Sequence, residues 1–178
     1  MRKSSPQSAV IGASGEHLVL SNLLRLNFIA GKAPDNTKDY DLIVLNKDGT
    51  SSSPIQVKTT LNKRKGWILQ EKHETPIKNL VFCFVCMEKD SSETEIYVID
   101  AKTVAYVVKT SHKIWLKLPG LKGQKHNPTS IRHLSPSGIA RLKNLKDYLT
   151  KSELEFLNKY SDGWLVRYRD AWHLIGDK

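Results

Sequence analysis

The sequence contains little cysteine and no long apolar run. Its two cysteines, Cys83 and Cys86, are too few for a disulfide framework, and on one strand they would point to opposite faces. We therefore interpret them as buried core thiols rather than as zinc ligands or a redox pair. The longest apolar run, over residues 79–87, has the length of one strand, so no membrane span is predicted. The first residues are basic but lack the apolar core of a secretory signal, which favours an intracellular, cytoplasmic location.

Acidic side chains are also scarce. The chain has 28 Lys and Arg against 18 Asp and Glu, a net charge of +10, and residues 101–146 hold ten cations and no carboxylate at all. Positive charge segregated in this way attracts polyanions, of which nucleic acid is the commonest inside cells. A solvated basic surface without a partner is the alternative. The residues that we expect to contact a nucleic-acid backbone are Lys109, Lys113, Lys117, Lys122, Lys125 and Arg132.

The order of apolar patterns predicts a single mixed α/β domain over residues 1–178. A chain of 178 residues has the size of one domain and buries enough surface to need no staple. Strands are predicted over 28–30, 41–45, 54–60, 67–70, 80–87 and 95–99, and helices over 8–26, 101–109, 137–145 and 152–160. Because 81–85 is apolar on both faces, we expect that strand at the centre of a mixed sheet of about five strands flanked by helices.

Alternation along residues 55–59 places two polar side chains together. Gln56 and Lys58 point to one face of the predicted strand, and Asp41 opens the preceding strand across a turn at 46–50. A carboxylate and an amide oxygen are ligands suited to Mg²⁺, and a lysine beside the ion can orient or deprotonate an attacking water. The alternative is a surface aspartate with Gln and Lys on a solvated face, and spacing alone favours this second interpretation.

Three motifs in order resemble the PD-(D/E)XK nuclease superfamily. They are Gly-x-x-Gly-Glu at 12–16, Asp-Tyr-Asp-Leu-Ile-Val at 39–44 and Ile-Gln-Val-Lys-Thr-Thr at 55–60. The Gln-x-Lys form resembles the branch that includes small homing endonucleases and uncharacterised bacterial proteins. The similarity covers residues 8–60, with the core motifs within 8–100 and a basic, helical part over 101–178. It implies a restriction-endonuclease-like core and cleavage of DNA with Mg²⁺, for which Mn²⁺ is a possible substitute.

The resemblance also implies a role for each matching residue. Asp41 would bind the metal, Gln56 stands where most members carry a second acidic ligand, and Lys58 would be the catalytic lysine. Glu16 would assist at the metal through water, and the backbone carbonyl of Val57 would be a further ligand. An amide at position 56 supplies an oxygen without charge, so metal affinity should be lower than with a carboxylate.

Two functions of different classes follow from these motifs. The first is a metal-dependent DNA endonuclease, acting as a homodimer where both strands are cut. The second is a catalytically inactive, nuclease-like DNA-binding module, in which Gln56 reflects decay of the metal site. A ribonuclease built on the same residues is a third alternative. Asp39 is expected to be a turn or capping residue rather than a ligand.

Overall fold

The computed structural model describes residues 6–34, 37–45, 49–88, 93–120, 122–137 and 147–176. Within these ranges the helices are α1 (Pro6–Arg25), α2 (Ala101–Lys117) and α3 (Lys151–Lys159). The strands are β1 (Ile29–Lys32), β2 (Leu42–Leu45), β3 (Ser52–Thr60), β4 (Trp67–Gln70), β5 (Val81–Met87), β6 (Thr94–Asp100) and β7 (Ile131–Leu134). Short 3₁₀ turns span Lys63–Lys65, Glu71–Glu74, Trp164–Tyr168 and Trp172–Leu174.

Five strands form one mixed sheet in the order β1-β2-β3-β5-β6. The pair β3 and β5 is parallel, whereas the other three pairs are antiparallel. The central position of β5 agrees with its sequence, since residues 81–86 are buried on both faces. The predicted fold class, a mixed sheet of about five strands flanked by helices, is therefore confirmed.

Each face of the sheet packs against a different helix. Val19 and Leu23 of α1 share a core cluster with Val57 of β3, whereas Val104 of α2 shares a second cluster with Phe84 of β5. Alternation along β3 consequently directs its odd-numbered side chains toward α1 and its even-numbered ones toward the α2 side. The two cysteines of β5 divide in the same way, one in each cluster, and both are buried free thiols as expected.

The helix α1 approaches β3 most closely at Gly15. A Cβ placed there would lie 2.0 Å from Thr59 Oγ1 and 3.1 Å from Thr59 Cβ, so a methyl group at this position requires the Thr59 side chain to shift. Gly12, by contrast, has no atom within 4 Å of such a Cβ. Gly15 is therefore a site of close packing against the Thr59 side chain, whereas Gly12 is not a site of close packing.

The structure differs from the predicted elements beyond β6. The helix α2 continues to Lys117 instead of ending at 109, because Ile114 is buried on its inner face while the Ser111 hydroxyl bonds back to the Val107 carbonyl at 2.6 Å. The unpredicted β7 pairs antiparallel with β4 in a separate two-stranded sheet. Of the helix predicted over 137–145, residues 138–145 lie outside the described ranges. No described helix combines the length and apolarity needed to cross a bilayer.

Candidate functional site

The candidate site lies where β3 extends beyond the end of β2. Pairing between these strands runs from Leu45 opposite Ser52 to Leu42 opposite Ile55, and the Asp41 N–H still donates to the Ile55 carbonyl at 2.7 Å. From that point β3 continues without β2 as its neighbour. The register therefore holds Asp41 at the corner of the sheet. There it lies beside the β3 residues after Ile55, on the side of β3 where the pairing with β2 has ended, here called the free side of β3.

The carboxylate of Asp41 is fixed by two donors from β3. Its Oδ2 accepts a hydrogen bond from the Gln56 side-chain Nε2 at 2.6 Å and from the Val57 backbone N–H at 2.7 Å. Its Oδ1 accepts no hydrogen bond from a described residue. Gln56 is only 7% exposed, so this contact takes place largely away from water. The structure thus brings Asp41 and Gln56 together, as the hairpin pattern predicted.

Lys58 lies on the same face of β3 as Gln56. Its ammonium group has no hydrogen-bonded partner among the described residues, although Asp41 and Glu16 both attract it. Burial lowers the pKa of Lys58 and repulsion by Lys72 acts in the same direction, while the attraction by Asp41 opposes them. A lysine with a lowered pKa can give or take a proton more readily than an exposed one.

Burial has the opposite effect on the neighbouring acid. It raises the pKa of Asp41, whereas the Val57 N–H and the Lys58 charge act against that change, and the Glu16 charge adds to it. The folded chain therefore stabilises a proton on Asp41 relative to an exposed aspartate, and a nearby positive charge would relieve this effect. Perturbation of both members of such a pair is typical of functional sites.

Glu16 approaches the site from the other face of the sheet. It projects from α1 next to Gly15 and forms an ion pair with Lys32 of β1, with Lys32 Nζ 2.9 Å from Glu16 Oε2. Its charge acts on both Asp41 and Lys58 without a direct hydrogen bond to either. This placement is compatible with assistance through water, which was the role implied by the resemblance.

Some of the oxygen atoms at this corner are suitable ligands for a hard divalent cation, but the Gln56 amide is turned the wrong way to serve as one. The carboxylate of Asp41 and the amide oxygen of Gln56 are oxygen ligands of the kind that Mg²⁺ prefers. Gln56 turns its Nε2 toward Asp41, so a half-turn of the amide is needed to offer Oε1 on that side. In an extended strand the N–H and carbonyl of one residue point to the same side, which places the Val57 carbonyl on the Asp41 side too. Among the described residues, no group of three or more His, Cys, Asp or Glu side chains is arranged to hold a metal.

A turn that the sequence interpretation missed borders the site. Lys72, in the Glu71–Glu74 turn after β4, forms an ion pair with Asp39, which adopts a φ of 74° just before β2. His73 follows, and its Nδ1 accepts a hydrogen bond from the Gln70 backbone N–H at 2.9 Å. Burial and the Lys58 charge lower the pKa of His73. Asp39 is thus a turn residue, as expected, and its polar partners come from a distant segment that local patterns do not identify.

A cavity of about 240 Å³ separates this turn from the sheet. Asp39, Lys72 and His73 line its polar side, and Phe82 and Leu80 line its apolar side. Phe82 lies on β5 directly opposite Gln56 on β3, so the cavity adjoins the candidate site.

Five of the six predicted nucleic-acid contacts are exposed. Lys109 and Lys113 project from α2, and Lys122 and Lys125 follow it in the chain. None of the four forms an ion pair with a carboxylate in the described parts of the chain. Lys117 is also exposed but lies 2.6 Å from Glu153 Oε1, so its charge is partly used within the fold.

The prediction that Arg132 contacts nucleic acid is wrong, because its side chain is buried. Alternation along β7 turns its side chain inward, where it is only 4% exposed, and its Nε donates to Glu74 Oε1 while its Nη1 donates to the Thr129 carbonyl. A guanidinium paired in this way fixes the Glu71–Glu74 turn to β7. Its position in the acid-free stretch indicated a surface cation, but its partner lies 58 residues earlier in the chain.

The fold is similar to that of a bacterial homing endonuclease, I-Ssp6803I. The two structures superpose with a TM-score of 0.50 over 97% of this chain and 94% of that chain, at 14% sequence identity. At this identity the similarity establishes a shared nuclease-like fold. The sequence matches no protein-family model and no curated protein.

Proposed function

We propose that the chain is a divalent-metal-dependent DNA endonuclease of the PD-(D/E)XK type that hydrolyses phosphodiester bonds. The observation that carries this proposal is the convergence of Asp41, Gln56 and Lys58 at the free side of β3. The fold around them is similar to that of a homing endonuclease, which supports the same chemistry. The exposed lysines after residue 108 supply the charge that a polyanionic substrate needs.

The residues proposed to hold Mg²⁺, or Mn²⁺ in its place, are Asp41, Gln56 and Val57. Asp41 contributes the oxygen that no described donor occupies, and Gln56 and Val57 contribute a side-chain and a backbone carbonyl. When bound, such an ion neutralises charge on the phosphodiester and lowers the pKa of a water molecule. The Val57 N–H holds Asp41 in place without consuming its second oxygen.

Lys58 is proposed to act on the attacking water and on the phosphate. Its side chain is half-buried and its amine has no hydrogen-bonded partner among the described residues, so it is available to a substrate at this corner. As an ammonium it counters the negative charge that develops in the transition state, and with its lowered pKa it can accept a proton from water. Glu16 is proposed to orient water from the α1 side, where its ion pair with Lys32 holds it.

The proposed DNA contacts of the basic surface are Lys109, Lys113, Lys122 and Lys125. They follow or belong to α2, which packs on the face of the sheet that carries Gln56 and Lys58. One site of this kind cuts one strand, so cleavage of both strands requires two copies, and we propose a homodimer for that case.

A second candidate function is a catalytically inactive DNA-binding module. The observation that favours it is the contact between Gln56 Nε2 and Asp41 Oδ2, which satisfies the carboxylate without a metal. In that case the basic surface binds DNA and divalent ions have no effect on it.

Nicking of supercoiled plasmid separates the two functions. Purified protein is assayed in Mg²⁺, in Mn²⁺ and in EDTA, beside Lys58→Ala and the control Lys102→Ala, whose lysine is exposed at the start of α2. The endonuclease proposal predicts cleavage that requires the ion, is lost in Lys58→Ala and survives in Lys102→Ala. DNA binding without cleavage under any ion, on plasmids of varied sequence, would support the inactive module instead.

A further inference from the structure

The two-stranded sheet of β4 and β7 presents one face to solvent. Its exposed side chains are Ile68 and Gln70 on β4 and Ile131 and His133 on β7. Ile68 is 64% exposed and Ile131 is 47% exposed. The register places Ile68 opposite His133 and Gln70 opposite Ile131, so the four side chains share one surface, here called the ribbon face.

The opposite face of the two-stranded sheet packs against the core. Trp67 and Leu69 alternate with the exposed positions of β4 and are each 1% exposed. The indole N–H of Trp67 donates to the Val85 carbonyl of the central sheet at 2.9 Å. On β7, Arg132 is anchored to Glu74. The two exposed isoleucines therefore stand on a well-fixed element and share one face of it.

One end of the ribbon face lies beside the proposed site. Gln70 directly precedes the Glu71–Glu74 turn, in which Lys72 pairs with Asp39 and interacts electrostatically with Lys58. A substrate whose scissile phosphate lies at Lys58 would therefore continue past Gln70 and along the ribbon face.

The charges around the ribbon face suit a polyanion. The Lys63–Lys65 turn leads into β4, and Arg64 and Lys65 are exposed there. At the opposite end Glu71 is exposed, and its carboxylate lies 3.7 Å from the Arg132 guanidinium. Exposed cations therefore lie at the end of the ribbon face that is farther from the proposed site. At the nearer end, the exposed carboxylate of Glu71 has the Arg132 guanidinium as its neighbour.

We infer that the ribbon face enters the major groove of DNA and reads base pairs next to the scissile phosphate. This inference rests on the proposed function and assigns its sequence specificity. Four strand residues span about 13 Å and two paired strands lie about 5 Å apart, which fits a groove about 12 Å wide. Gln70 has the donor and acceptor that pair with the major-groove edge of adenine, and Ile68 and Ile131 are suited to contact thymine methyl groups. The recognised base pairs therefore include A·T pairs.

A second copy of the chain is a weaker occupant for this face. Four side chains on strands of this length offer on the order of 200 Å², far below the roughly 800 Å² that each partner buries in a stable protein interface.

Selection of bound sequences tests the inference. Wild-type protein in EDTA is incubated with a randomised DNA duplex, and bound molecules are sequenced, in parallel with Gln70→Ala, Ile131→Ala and the control Val10→Ala. Val10 is 69% exposed and lies on α1, which packs on the opposite face of the five-stranded sheet, so its truncation is matched in chemistry and away from the ribbon. The inference predicts an A·T-containing motif, loss of preference by about tenfold at one position in each ribbon variant, and an unchanged motif in the control.

Three results would overturn it. These are the absence of any enriched motif, a motif that both ribbon variants retain, and a change in solution mass of the ribbon variants without a change in motif, which would identify a second copy as the occupant. Cleavage of plasmid in Mg²⁺ is measured on the same proteins. Cleavage together with a motif that the ribbon variants leave unchanged supports the nuclease proposal and contradicts the ribbon inference. A motif that depends on the ribbon residues, without cleavage, supports the ribbon inference and contradicts the nuclease proposal. The absence of both DNA binding and cleavage removes both proposals.

Discussion

Gln56 donates its side-chain N–H to Asp41 Oδ2 across neighbouring antiparallel strands, with 2.6 Å between the two atoms. A glutamate at position 56 would bring a second carboxylate to the same oxygen, and two like charges at that distance repel each other strongly in a buried site. The amide instead leaves a single charge that the fold holds in place. The consequence is that Asp41 is held in place before any cation arrives, whereas Gln56 has to turn its amide to become a ligand, and the proposed site would offer a cation less charge than two carboxylates.

The variant Gln56→Glu is expected to exchange stability for metal affinity. Without metal, repulsion of Asp41 should cost about 1–3 kcal/mol, which for a chain of this size lowers the melting temperature by several degrees. Mg²⁺ should restore more stability to the variant than to the wild type, with half of the effect reached at a lower concentration. Thermal melts in EDTA and across a Mg²⁺ titration measure both changes. Identical Mg²⁺ dependence in the two proteins would contradict a metal site at Asp41.

Two glycines of α1 should respond to alanine in opposite directions. Gly15→Ala places a methyl group 2.0 Å from Thr59 Oγ1, and overpacking of this kind costs about 1–3 kcal/mol. Gly12→Ala meets nothing within 4 Å and should gain about 0.5–1 kcal/mol from helix propensity. Denaturant unfolding measures both values. The double change Gly15→Ala with Thr59→Ala should recover much of the loss, and equal effects of the two single changes would contradict the contact.

Arg132 and Lys113 should separate stability from DNA binding. Arg132→Met leaves Glu74 without its buried partner and should cost about 3 kcal/mol, which lowers the melting temperature by about 10 °C. Lys113→Ala removes an exposed charge, so the melting temperature should stay constant while the salt dependence of DNA affinity falls by about one phosphate contact. Calorimetry and binding titrations at several salt concentrations distinguish the two. A stable Arg132→Met protein with weakened DNA binding would return Arg132 to the DNA interface.

The ion pair between Lys117 and Glu153 should produce an acid-dependent loss of stability. The hydrogen bond from Lys117, followed by that from the Thr150 N–H, lowers the pKa of Glu153 below its ordinary value of 4.5. A lowered acid pKa stabilises the fold at pH values above the unfolded value, and this contribution is lost as the pH falls through the folded value. Glu153→Gln should therefore melt at a lower temperature than the wild type at pH 7. The difference should shrink as the pH falls below 4.5, and a constant difference would rule out this linkage.

The proximity of Asp41, Gln56 and Lys58 could be predicted because it depends on local rules, although spacing alone favoured a solvated surface for these residues. Alternation fixes which side chains of β3 share a face, and a short connection between β2 and β3 fixes their register. The same reasoning identified the central strand from its apolar faces. These features involve residues within about one hairpin, so the sequence pattern carries them directly.

The surroundings of the cluster could not be predicted in this way. The strands β4 and β7 are short and lie far apart in the chain, and their pairing depends on burial of Trp67 and Arg132 rather than on a turn between them. The inward direction of Arg132 and the contact of Lys72 with Asp39 both follow from that pairing and from the turn after β4. A local charge pattern identifies a basic stretch, but it does not show which of its side chains form ion pairs within the fold.

The most direct test of the proposed site is the pair of properties measured on Asp41→Asn. Because burial raises the pKa of Asp41, its ionised form costs the folded state stability at neutral pH, and the neutral amide removes that cost while its oxygen still accepts from Val57. We expect Mg²⁺-dependent plasmid cleavage to fall by more than about 100-fold, with a melting temperature in EDTA equal to or above that of the wild type. Cleavage at the wild-type rate, or a sharp fall in melting temperature, would contradict a functional role for Asp41 and would identify it as a structural residue.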